Sequence, residues 1–585
     1  MRRAATLAAA LALAVALLAA LAGGAAAAPS APPVTTTTAA TATTTTAPAD
    51  PNQLVRPARL DQPPPGRRLT GNQVEAIAAR VPKIAAERRK YPGSFPNVFL
   101  KGPGRWQVSY YSRAKQPKEI AQVYVDDFSG GVTEAWTGPQ VAWTMARGYP
   151  GAFGRKVNSP WVWIPLTLLF LAPFVDVRRP WRVLHLDLLV LAAFGVSVAF
   201  FNDANIDASV PLAYPLLAYL LARMLWVGLR RRGDPAAREP LHLNVPAAWL
   251  AVALLFLAGF RIGLNVTNSN VIDVGYAGVI GADRLADGKQ LWGNFPPDNQ
   301  HGDTYGPVAY AAYVPAEQVF GWSGRWDDLP AAHAAAIVFD LACLALLWLI
   351  GRRIRGPGLG IVLAYAWAAY PFTLYALNTN VNDGLVAALV LAAVWAAARP
   401  SARGAFVAAA GMAKFAPLAL APLFATYGTR RGVRAFAVGF AAVVVAGLVI
   451  VLPYGGLRNF YERTIDFQAS RGSPFSIWGL YGWTAAQTVV QVAAVLLALA
   501  VAFVPRRRDV VGLAALAAAV LIALQLGVTH WFYLYIVWFF GLAMVALLGR
   551  HLDPAHPRGT VIPEADATAR APARSRQPAA PASIG

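Results

Sequence analysis

Cysteine is almost absent. Cys343 stands alone in 585 residues, inside an apolar run, which excludes a disulfide framework and thiolate metal sites. Charge is also scarce, at 14% of residues against roughly 25% in ordinary soluble domains. Acid is the scarcer sign: 30 Asp and Glu face 51 Lys and Arg, for a net charge of +21. The seven histidines are scattered and none pairs with another at metal-ligand spacing, so no metal site is assigned and a metal requirement stays open. A P-loop, a His-Glu-x-x-His and a Gly-x-Gly-x-x-Gly beside a strand are all missing, which removes the chemistries those motifs carry.

What the chain has instead is hydrophobicity, 56% of its residues, with a mean hydropathy of +0.43. The basic residues fall in short clusters beside apolar runs: Arg178-Arg179, Arg230-Arg231-Arg232, Arg352-Arg353-Arg355, Arg430-Arg431-Arg434 and Arg506-Arg507-Arg508. That is the positive-inside pattern of a multi-pass membrane protein and not a nucleic-acid footprint.

The N-terminus reads as a signal peptide or signal anchor over residues 1–28: Arg2-Arg3, an Ala/Leu run, then small residues. Residues 29–68 are Thr-, Pro- and Ala-rich and predict a disordered linker. From 69 to 157 the texture is that of a small extracytoplasmic α+β domain. Helical spacing over Gly71 to Tyr91 is followed by alternating runs joined through Asp126-Asp127-Phe128-Ser129-Gly130-Gly131, a hairpin signal that makes both acids solvated turn residues. This helix-then-hairpin order resembles one PepSY-type unit, which implies a binding or regulatory role.

About 11 transmembrane helices are predicted, each needing about 20 apolar residues. They lie near 160–176, 184–202, 210–228, 246–263, 331–350, 357–376, 384–398, 434–453, 484–504, 510–527 and 530–549. The first three (158–245) precede a membrane domain over 246–550, and residues 551–585 read as a disordered cytoplasmic tail. Residues 403–427 do not fit a simple crossing. Both ends are basic, and Lys414, Pro417 and Pro422 lie in the middle. The economical reading is a re-entrant helix pair that starts and ends in the cytoplasm, with Lys414 at the break, in protein or water.

This topology places the loop 265–329 outside the cytoplasm. It carries eight of the acidic residues, Asp273, Asp283, Asp287, Asp298, Asp303, Glu317, Asp327 and Asp328, with Trp and Tyr among them. Loops at 378–383, 454–481 and 529–530 share that face. Carboxylates and aromatics gathered between spans, where acids are costly, mark a site of chemistry.

The order of elements resembles the C-type polytopic glycosyltransferases, in particular glycosyltransferase family 87, the actinobacterial mannosyltransferases that use a polyprenyl-phosphate sugar. The elements are Asp273 just after a span, Trp292-Gly293, Tyr305-Gly306-Pro307, Asn380-Val381-Asn382-Asp383-Gly384, Lys414-Phe415-Ala416-Pro417, Arg471 to Gly479, and His530 to Tyr535. The resemblance covers residues 246 to about 550 and implies a C-type fold with an extracytoplasmic active site at the plasma membrane. It implies transfer of mannose or another hexose or pentose from a polyprenyl-phosphate donor to a lipid or glycan acceptor among membrane lipids, with no nucleic acid involved.

Such a transfer needs one carboxylate to take the acceptor proton. Asp273 matches the family's first-loop carboxylate, with Asp303 as the second candidate. The departing phosphate needs positive charge and donors, for which Lys414, Arg471 and His530 are available. Tyr276, Trp292, Tyr305 and Trp478 are candidate sugar-stacking rings, and Asn382 and Asp383 are candidate sugar or acceptor ligands. The competing class is a transporter or non-catalytic lipid-binding scaffold. A transporter would show repeat-related broken helices in both halves, and one broken segment is found.

Overall fold

The computed structural model describes residues 54–114, 117–147, 154–230, 240–296, 299–326, 329–470, 472–504 and 509–551. The signal, most of the linker, Asp298, Asp327, Asp328, Arg471, Arg506 to Arg508 and the tail beyond 551 lie outside the described residues.

The small domain is a five-stranded antiparallel sheet in simple meander order: β1 (Leu54–Val55), β2 (Phe95–Lys101), β3 (Arg105–Tyr111), β4 (Glu119–Asp126) and β5 (Val132–Thr137). Residues 54–68, expected as linker, belong to this domain, because Leu54 and Val55 pair with Lys101 and Leu100. The helical stretch 71–91 is two helices, α1 (Gly71–Ala79) and α2 (Pro82–Lys90). Pro82 forces the residue before it out of the helical region, and Val81 is extended. Alternation puts Leu100, Trp106, Val108 and Val123 on one sheet face against Val74, Ala78 and Ile84 of the helices. The hairpin at 126–131 forms as read, and Asp126 accepts hydrogen bonds from Ser129. Asp127 departs from the expectation of a solvated turn residue. It is buried and accepts from the Trp106 indole at 2.8 Å and from the backbone N–H of Arg68 and Leu69, which ties the 54–68 segment down. A helix α3 (Pro139–Arg147) follows.

The rest is helical. Helices α4 (Pro160–Leu171), α5 (Val183–Asn202), α6 (Ile206–Leu229) and α7 (Ala247–Thr267) lead to a loop helix α8 (Asp273–Ala286). Then come α9 (Pro330–Arg355), α10 (Pro357–Ala369), α11 (Pro371–Asn378), α12 (Asp383–Trp395) and α13 (Pro400–Ala413). The last four are α14 (Arg430–Val451), α15 (Thr484–Ala500), α16 (Val510–Gly527) and α17 (Ile536–Leu548). Among the described residues six helices are long and apolar enough to cross a membrane, or seven counting the pair α10–α11 as one span, so the 11 expected are not reached. Four expected spans, at 160–176, 384–398, 484–504 and 530–549, are helices of 10–17 residues. Interior helices need not match the bilayer, since protein rather than lipid surrounds them: α12 and α17 are buried along nearly their whole length. The span expected at 357–376 is bent by 60° at Tyr370-Pro371.

The described ends of α9, α12 and α15 gather with the start of α13 at one end of the bundle. Arg353 donates to the Trp395 carbonyl at the end of α12, and Thr426 to the Ala502 carbonyl beyond α15. Helix α13 rises from this end. A 3-10 turn (Ala416–Leu420) and a short helix (Ala421–Ala425) return to it. Arg403 fastens the return, donating to the carbonyls of Ala397 and Tyr427. The segment 403–427 is thus a broken pair with both ends together, and Lys414 sits at the break in an extended conformation (φ −140°, ψ 134°).

Candidate active site

Helix α12 opens on Asp383, where the helix N-terminus favours a carboxylate. Its Oδ1 accepts from Lys414 Nζ at 2.7 Å and from the Trp538 indole at 2.8 Å. Lys414 caps α13 in an extended conformation, and its ammonium also lies 5.4 Å from the Tyr305 ring, 5.5 Å from Tyr535 and 5.4 Å from Trp538. A caged cation of this kind gains from each ring face. Tyr305 reaches it because residue 306 is glycine. A Cβ there would stand 2.0 Å from the Met412 carbonyl oxygen, so only glycine lets the loop lie against α13. Asp383 is 1% exposed and the Lys414 side chain 11%.

The depth of this pair follows from its neighbours on α9. A Cβ at Gly384 would meet the Phe339 Cβ at 3.4 Å, and Phe339 lies nine residues into a helix that starts at Pro330. At about 1.5 Å per residue the pair is ~14 Å below the end of α9 away from its arginines.

Asp273 heads α8 and is exposed. The Tyr305 hydroxyl pKa is raised, first by burial and then by the charges of Asp273, Tyr535 and Asp383, so both carboxylates act on one phenol. What brings α8 to α12 is a polar double loop. Asn270 and Ile272 donate backbone N–H to the carbonyls of Asn378 and Thr379 at 3.1 and 3.2 Å. Asn380 donates its amide to Ser269 Oγ and the Asn270 carbonyl, and accepts from Asn265 at 2.8 Å. Asn380 adopts φ +54°, which Asn tolerates better than most residues. Gly275 completes the fit, since a Cβ there would come 2.2 Å from the Asn380 carbonyl oxygen. The side-chain amides of Asn378 and Asn382 are buried without a hydrogen-bond partner among the described residues.

Asp303 is fully buried. Its Oδ2 accepts the Gly293 N–H at 2.7 Å and faces Arg463 at 3.5 Å, while Oδ1 has no hydrogen-bond partner among the described residues. Burial raises its pKa, against the Gly293 N–H and the charges of Arg463 and Arg284. The residue pins the first loop to the segment 462–466.

Three of the expected stacking rings are packed instead. Trp292 is buried edge-on to Phe460 at 5.1 Å and donates to the Tyr305 carbonyl; Tyr276 is buried and stacked on Trp326 at 4.8 Å. Trp478 donates to the Leu526 carbonyl at 2.8 Å with its edge toward Tyr214. Large aromatic rings bury well, and sequence alone does not say on which side of a loop they fall. His530 shares a 2.8 Å hydrogen bond with Ser473 Oγ. The structure therefore brings together Tyr305, Asp383 and Lys414, adds Tyr535 and Trp538, and joins the loop that carries Asp273 to the start of α12.

No curated protein and no solved structure matches the chain. Residues 304–529 match the model of glycosyltransferase family 87, a stretch that holds Tyr305, Asp383 and Lys414 and starts just after Asp303. Taken with its apolar helices, the match supports the family resemblance and marks this protein as a multi-pass membrane glycosyltransferase, and so a transferase enzyme.

Proposed function

We propose that the protein transfers a hexose or pentose, mannose in the first instance, from a polyprenyl-phosphate donor to a lipid or glycan acceptor of the cell envelope, on the extracytoplasmic face of the plasma membrane. The acceptor oxygen forms a bond to the anomeric carbon as the bond from that carbon to the phosphate oxygen breaks. The phosphate keeps the electron pair and leaves as polyprenyl phosphate, the acceptor proton passes to the Asp273 carboxylate, and the anomeric configuration inverts. One base suffices for such a displacement.

The observation that carries this reading is the caged Lys414, paired with Asp383 and set against the Tyr305 ring. A cation held in a low-dielectric recess stabilises charge developing on a leaving phosphate far more than one in water. Arg471 and His530 are further donors to that phosphate. The amide of Asn382, beside Asp383 and without a hydrogen-bond partner among the described residues, supports its assignment to a sugar hydroxyl, since a buried polar group calls for a partner.

Asp273→Asn is expected to lower transfer on the order of 10²-fold or more, the range of general-base contributions. Asp303→Asn in the same membranes is the control for a structural carboxylate and should keep most activity. An active Asp273→Asn with an inert Asp303→Asn passes the base role to Asp303; two active variants remove the carboxylate mechanism from this loop.

A further inference from the structure

The segment that joins the small domain to the membrane helices reaches the double loop that sets both carboxylates. Gly154, in the left-handed region at φ +69°, donates its N–H to Asn270 Oδ1 at 2.7 Å. Lys156 donates its N–H to Asn268 Oδ1 at 3.1 Å, and Val157 is wholly buried in the membrane-domain core. Behind it, Trp143 of α3 donates its indole N–H to the Phe201 carbonyl at 2.6 Å at the end of α5. The far side of Asn270 is equally committed. Its N–H goes to the Asn378 carbonyl, and its own carbonyl takes the Asn380 amide. Three residues after Asn270 comes Asp273; three residues after Asn380 comes Asp383. Asn378, whose Cβ lies 3.6 Å from where a Gly154 Cβ would stand, has a fully buried amide with no hydrogen-bond partner among the described residues, so its own side chain does not fix this loop.

We propose that residues 154–158 are a strut that positions Asp273 and Asp383 relative to each other, which makes the N-terminal part of the chain a working component of the active site. The roles of those two carboxylates rest on the function proposed above. Loops of irregular backbone hold an angle only as well as their hydrogen bonds define it. A misplacement of about 1 Å at a catalytic group can cost on the order of 10²-fold in rate. The strut residues touch no substrate; they act through Asn270.

The test uses the full chain in native membranes. Gly154→Ala puts a methyl 2.4 Å from Val157 Cγ1 on a left-handed backbone. Gly104→Ala carries the same kind of backbone penalty (φ +72°) in open space at the β2–β3 turn and is the matched control. Transfer from a labelled polyprenyl-phosphate mannose is read as kcat and KM, together with hydrogen exchange at 268–273. Gly154→Ala and Asn270→Ala should drop kcat on the order of 10- to 100-fold, with donor KM little changed and exchange at 268–273 raised. Asn270→Asp, which keeps the acceptor oxygen, should restore turnover, and Gly104→Ala should behave as wild type. A Gly154→Ala that turns over like Gly104→Ala overturns the strut, and so does unchanged exchange at 268–273. A wild-type protein inert toward every polyprenyl-phosphate sugar tried sinks the functional reading instead, and the exchange data then judge the strut alone.

Discussion

Lys414 and Asp383 show how residues that are each conspicuous in a sequence acquire meaning only as a pair. A lysine just ahead of two prolines in an apolar segment and an acid at a helix start were both legible, because charge in a span has to be explained. Their 2.7 Å contact was not, since 31 residues and two helices separate them. A buried pair is strongly destabilised when one partner goes, by about 3–5 kcal/mol, while removing both costs far less. Lys414→Gln and Asp383→Asn are therefore expected to lower the melting temperature of the solubilised protein by more than the double variant does. Additive losses in that thermal double-mutant cycle would show the pair to be uncoupled. Asp303 makes a second case. Burial raises its pKa, so the unfolded chain ionises it first as pH rises. Its contribution is full below the ordinary carboxylate pKa, falls as pH climbs from there to the raised value, and is level above. The difference in melting temperature between wild type and Asp303→Asn should change through that window and stay flat above it; a difference constant across acid pH would contradict the shift.

At the scale of elements, breaks are readable where chemistry accompanies them. The interruption at Lys414 was marked by Pro417, Pro422 and two basic ends, and α13 with its return follows that outline. The 60° bend at Tyr370-Pro371 was hidden. It lies in an unbroken apolar run, and a proline at the first position of a following helix leaves no trace in hydropathy. Shortness was hidden too, because hydropathy counts residues and ignores whether protein or lipid lies alongside. Sidedness can be tested with single cysteines, and the native Cys343 is buried and should give little background. Cysteines at the exposed positions Ser323 and Gly472 should label from outside intact cells, and one at the exposed Thr429 only after permeabilisation. External labelling at Thr429 would contradict the cytoplasmic placement of the return and with it an extracytoplasmic Lys414.

Seen whole, the molecule brings Tyr305, Asp383, Lys414, Tyr535 and Trp538 together, which no local spacing could have joined, and the proposed function adds Asp273 to them. The family match spans 304–529, yet the loop carrying Asp273 is braced by residues 154–158, well outside it. Depth has an effect of its own. Dissolved ions weaken a charge they can surround, over about 8 Å at physiological ionic strength. Lys414, boxed by three rings and with only 11% of its side chain exposed, is one that they surround poorly. Among the described residues its one ion-pair partner is Asp383, so the salt of the medium is a weak rival to the phosphate that the proposed function would bring. On that reading the contest for this cation is between one carboxylate of the protein and one anion of the substrate.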